Sequence, residues 1–76
     1  MIDEFYKVIG QAIRERREEI GMTQAELAQL VSMSRPSIIN IEQGGQALQL
    51  HQFVELAEAL QYSSYTDLLP EIEVEL

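Results

Sequence analysis

The spacing of apolar residues divides the chain into helices. Phe5, Ile9, Ala12, Ile13 and Ile20 recur at three- and four-residue steps, with Val8 beside them, and predict a first helix over residues 4–20. Asp3 can cap its start, Glu4 suits the positive end of its dipole, and Gly21 can end it in a left-handed conformation. Arg14, Arg16 and Arg17 fall in the last turns, where cations oppose the negative end of the dipole. Glu15 with Glu19, and Arg14 with Glu18, stand four apart and mark the exposed face.

The stretch from Thr23 to Gly44 predicts two shorter helices on a tight hinge. AELAQLV puts Leu27, Ala28 and Val31 on one face, and RPSIINIE puts Ile38 and Ile41 on one face. Thr23 with Glu26 three residues on has the spacing of a capping box. Ser34 can cap the next helix, and Pro36 sits in its first turn, where a missing amide hydrogen costs little. Folding the hinge Ser32-Met33-Ser34 buries Leu27, Val31, Ile38 and Ile41 together. Arg35, Ser37, Asn40 and Gln43 then face outward. An outward row of hydrogen-bonding side chains on a short helix is what reading a major groove requires. Gly44 and Gly45 stop the helix.

After a connector at residues 46–49, Leu50, Phe53, Val54, Leu56, Ala57 and Leu60 form a wide apolar stripe and predict a helix over residues 50–60. Its cap is weak, because Gln49 stands where Ser or Thr would serve. Ser63 or Ser64 caps a short fifth helix through Tyr65, Leu68 and Leu69, ended by Pro70. The expected fold is all-α, a compact five-helix bundle. From Glu71 to Leu76 the period changes to two: Ile72, Val74 and Leu76 alternate with glutamates, a strand pattern that finds no partner in the chain. Either it is an extended acidic tail, or two chains pair their tails at a twofold axis. Residues 1–70 are thus expected to form one domain and residues 71–76 a possible dimerisation strand.

Composition narrows the chemistry. At 76 residues the core must recruit nearly every periodic apolar residue. There is no Cys, which excludes disulfides and thiolate metal sites. No apolar run approaches membrane-spanning length, and the N-terminus lacks a signal-peptide pattern, so a cytoplasmic protein is expected. The net charge is −8, unusual for a nucleic-acid binder. It is unevenly placed. From Phe5 to Gly44 five basic residues balance five acidic ones, whereas from Phe53 onward there are six acidic residues and no Lys or Arg. The acidic half is either a solubilising surface or a site for a protein partner.

TQAELAQLVSMSRPSIINIEQG, followed by a helix ending LAEAL, resembles the lambda-repressor-like Cro/repressor (XRE) helix-turn-helix family. The features in register are RxxxG before the motif, TQxELA opening its first helix, Ser-x-x-Ser-Ile across the turn, and Ile-Glu-x-Gly closing its second helix. The resemblance covers residues 8–69 and implies a five-helix bundle that binds operator DNA as a homodimer. It implies an ion pair between Arg17 and Glu42. It implies that Gln24 contacts a phosphate and braces the recognition helix. Arg35, Pro36, Ser37 and Asn40 take groove-facing positions, and Ser34, Ser37, Gln43 and the Gly44 backbone contact phosphates. Arg35 suits guanine and Asn40 suits adenine, each in a bidentate fashion. The chain departs from the family pattern at Pro36, at Ile39, and after Gly44, where a common cation is missing.

No enzyme is expected. His51 stands alone, without a second His or any Cys for a metal site, and the Glu pairs lie on exposed helical faces. No cofactor is implied. The expected function is a transcriptional regulator that represses from an operator in double-stranded DNA. The alternative is a protein-interaction module of the same fold with weak or no DNA binding. Tyr65, Leu69, Ile72, Val74 and Leu76 are the expected dimer contacts.

Overall fold

The computed structural model describes residues 2–69. Four α-helices follow one another: α1 (Ile2–Glu19), α2 (Gln24–Leu30), α3 (Arg35–Glu42) and α4 (Leu50–Ala59). A single 3-10 turn, Tyr65–Leu68, closes the sequence of elements, and no strand occurs among the described residues.

Local chemistry sets the helix ends. Thr23 accepts the Glu26 amide at 3.1 Å while the Glu26 carboxylate accepts the Thr23 amide at 3.2 Å, a reciprocal capping box. Ser34 Oγ accepts the Ser37 amide at 3.2 Å, with Pro36 in the first turn behind it. At α4 the Gln49 amide donates to the Gln52 side chain at 3.0 Å, which supplies part of a cap from a residue without a short polar side chain. The exits share one device. The amide of Met22 donates to Arg17 O, that of Gly45 to Asn40 O, and that of Tyr62 to Ala57 O, each following a residue of positive φ: Gly21 (72°), Gly44 (74°) and Gln61 (65°).

The core takes the periodic residues of every helix: Ile9 and Ile13 from α1, Leu27 and Ala28 from α2, Ile38 and Ile41 from α3, and Phe53, Leu56 and Ala57 from α4, with Val31, Leu60 and Leu68 closing it. Each large side chain so buried contributes about 1.5–3 kcal/mol. α1 lies across α3 at very close range. A Cβ on Gly10 would overlap the carbonyl oxygen of Ile41, so only glycine lets the two backbones meet there.

Two expectations are corrected. The fifth helix is one 3-10 turn: Asp67 N bonds Ser64 O at 3.0 Å and Leu69 N bonds Thr66 O at 3.2 Å. Leu69 then turns extended (φ −69°, ψ 132°), because a residue before proline is pushed out of the helical region. Leu50, expected in the apolar stripe, is 74% exposed; as the first residue of α4 it precedes the turn that meets the core. The expected tail at residues 71–76 lies outside the described residues. Among the described residues no helix is long and apolar enough to cross a membrane.

Candidate nucleic-acid interface

α3 turns Ile38, Ile41 and Glu42 inward. Ser34, Arg35, Pro36, Asn40 and Gln43 are exposed, and Ser37, Ile39 and Gly44 are half-buried. A helix of eight residues is fixed in rotation by two isoleucines and a buried glutamate, so its polar face has one orientation. Ser34 Oγ donates to Ser37 Oγ at 3.0 Å, which leaves the Ser37 hydroxyl hydrogen free for an external acceptor.

Glu42 holds that orientation. Its carboxylate accepts Arg17 Nε at 2.6 Å and Arg17 Nη2 at 3.0 Å, a two-pronged pair, and Gln24 Nε2 at 3.2 Å. Arg17 Nη1 donates to Met22 O at 2.8 Å. The side chains are 11% and 3% exposed. The hydrogen bond to Glu42 pushes the Arg17 guanidinium above its usual range, against the opposing effect of burial. No buried polar side-chain atom lacks a partner among the described residues. The cluster joins the end of α1, the start of α2 and the end of α3, the three elements that frame the outward face.

A groove of 870 Å³ opens over this cluster. Arg14, Gln24, Arg35, Ile39 and Gln43 line it, with Met22 and Thr23 at the start of α2. Gln24, Arg35 and Gln43 are therefore brought together. Pro36 and Asn40 are exposed on α3 but do not line the groove. The Gly44 amide is committed to Ile41 O at 3.0 Å inside the helix-ending turn. Tyr65 and Leu69 are exposed at 47% and 44%; Ile72, Val74 and Leu76 lie outside the described residues.

Three features escaped the sequence reading. Arg14 and Ile39 line the groove. Lys7 lies against Gly44: a Cβ there would stand 2.6 Å from Lys7 Cγ and 2.7 Å from its Cα. Gly10 meets the Ile41 and Glu42 carbonyls beside it. Its signal was a glycine in mid-helix, which is unfavourable unless something comes close.

A family model described as helix-turn-helix matches residues 13–66. The chain belongs to the XRE-type helix-turn-helix family. It is 41% identical over 54 residues to a protein of Thermococcus kodakarensis named as an HTH-type transcriptional regulatory protein, a match covering 71% of this chain and 17% of that protein's length. The fold superimposes on the restriction-modification controller protein C.AhdI from Aeromonas hydrophila with a TM-score of 0.80 and 30% identity, covering 84% of this chain and 96% of that one. It also matches the P22 c2 repressor in complex with a synthetic operator, with a TM-score of 0.73 and 31% identity, covering 80% and 91% of the two chains. The helix-turn-helix of the family thus corresponds to α2, the Val31–Ser34 turn and α3.

Proposed function

We propose that this chain is a sequence-specific DNA-binding transcriptional regulator that acts as a repressor in the cytoplasm and reads the major groove with α3 as a homodimer. The exposed polar face of α3, locked in rotation by the Arg17–Glu42–Gln24 cluster, carries the reading. Its kinship with a named transcriptional regulator, a controller protein and an operator-bound repressor supports it. Arg35 and Asn40 read base edges, Pro36 offers an apolar contact to a thymine methyl, and Ser34, Ser37, Gln43 and Gln24 hold phosphates. With the Gly44 amide occupied, the contact at that corner comes from the Gln43 side chain. Residues 1–70 form the reader. Tyr65 and Leu69, with Ile72, Val74 and Leu76 of the 71–76 tail, supply the dimer contact.

A second reading, a protein-interaction module that no longer binds DNA, is favoured by the net charge of −8 and by the acidic second half. It would engage a basic partner through that half. Selection of bound sequences from random duplexes separates the two. Enrichment of paired half-sites supports the homodimeric reader, and their spacing reports the dimer geometry. Absence of any enriched sequence at low salt refutes it. Arg35→Ala should then lose about 1–3 kcal/mol at one base-pair position. A uniform loss over all sequences would make Arg35 a phosphate contact instead.

A further inference from the structure

Lys7, Gly10, Arg14 and Arg17 fall within about 80° of one another on α1 at roughly 100° per residue. This face crosses the C-terminal end of α3. Lys7 lies on Gly44, Gly10 on the carbonyls of Ile41 and Glu42, and Arg17 on the Glu42 carboxylate. Two of the cations on it are committed. Arg17 is in the buried cluster, and Arg14 Nε meets Glu18 at 3.1 Å. Lys7 is exposed and makes no ion pair with the side chains of residues 4–69.

Its position gives it a task. An eight-residue α3 is about 12 Å long, close to the ~12 Å width of the major groove, so both ends of the helix approach a sugar-phosphate backbone. The groove follows α3 from Arg35 past Ile39 to Gln43, with Arg14 and Gln24 on its other wall, and Arg35 is its cation at the N-terminal end of the helix. At the C-terminal side the chain runs from Gly45 to Gln49 without a cation, and Gly44 has no side chain and no free amide. Lys7 is the cation seated at that corner, with its stem on Gly44 and its charged end in solvent.

Resting on the DNA-binding reading, we infer that Lys7 is a phosphate anchor, supplied by α1 to the C-terminal end of the recognition helix. It positions the reader and carries no base preference. A duplex enriched by the wild-type chain is titrated with wild type, Lys7→Gln, Lys7→Arg and Ser63→Glu across a range of salt. Ser63→Glu lowers the net charge by the same unit from an exposed site outside the α1–α3 contact. Each phosphate contact adds about 0.9 to the steepness of log K against log salt. Lys7→Gln should therefore be shallower by about 2 per dimer, and the wild-type advantage should shrink about tenfold between 50 and 200 mM salt. Lys7→Arg should restore the slope, Ser63→Glu should leave it alone, and the enriched sequence should not change. An unmoved slope in Lys7→Gln overturns the anchor while the DNA-binding reading stands. An unmoved slope with a lowered melting temperature assigns Lys7 to the fold instead. If the wild-type chain enriches no duplex, the reading and the anchor fall together.

Discussion

Arg17→Met tests what holds the recognition helix. The variant keeps an apolar stem against α3 and removes the charge and its donors. Glu42 then retains a single hydrogen bond, from Gln24, on a carboxylate whose side chain is 3% exposed. Removing one partner of a buried pair costs about 3–5 kcal/mol, because the other charge is left uncompensated. Arg17 itself keeps 11% exposure, so some water can reach the vacated site and the expectation is near the lower figure. A chain of 76 residues has a total stability of about 4–11 kcal/mol. Each kcal/mol shifts the melting temperature of such a domain by about 4–8 °C. Thermal melts by circular dichroism should therefore fall by at least about 12 °C. The double variant Arg17→Met with Glu42→Leu should recover most of the loss, since two apolar groups carry no desolvation penalty. A melt within about 5 °C of wild type in Arg17→Met would instead put the pair in the class of exposed ion pairs worth at most about 1 kcal/mol.

Two other expectations follow from the backbone. Gly21 and Gly44 share a positive φ, 72° and 74°, but a Cβ on Gly21 meets nothing within 4 Å whereas one on Gly44 meets the Lys7 backbone at 2.7 Å. Gly21→Ala should cost about 1–2 kcal/mol from the left-handed conformation alone, and Gly44→Ala clearly more, measured by urea unfolding; equal losses would remove the α1–Gly44 contact from the account. Gln61 ends α4 at φ 65° with a side chain that gains nothing from that conformation. Gln61→Gly should raise stability by about 0.5–1 kcal/mol, the relieved strain less the added freedom of the unfolded chain, and a lowered melting temperature would contradict it.

The sequence carried the local structure well because its signals are local. Thr23 with Glu26, Ser34 with Pro36, and Gly21 and Gly44 specify helix ends through bonds spanning only a few residues. The bounds of α3 follow from them directly. The core residues followed from the 3.6-residue period. What periodicity does not contain is how one helix lies on another. Arg16 was expected to face the end of its own helix; its Nε instead donates to Leu60 O at 2.9 Å, and its guanidinium lies 5.1 Å from the Tyr62 ring, so it closes the exit of α4. Lys7 on Gly44 is the same kind of fact. The second depends on the α1–α3 approach that Gly10 permits, and nothing but that glycine announced it.

The placement of the cations bears on the proposal that an acidic chain reads DNA. Of its five Lys and Arg residues, two are held by the fold, Arg17 in the buried cluster and Arg16 at the exit of α4, and Arg14 makes an exposed pair with Glu18 on the wall of the groove. Lys7 and Arg35 remain exposed and make no ion pair with the side chains of residues 4–69, one beside each end of α3. Of the six acidic residues from Phe53 onward, Glu55 and Glu58 lie on α4 and Asp67 in the 3-10 turn. With only a handful of phosphates neutralised per dimer, the salt slope should be shallow, about −3 to −5. Titration of an enriched duplex across salt measures it. A slope near −10 would exceed what so few free cations can supply, and the division of cations between fold and DNA would then be wrong.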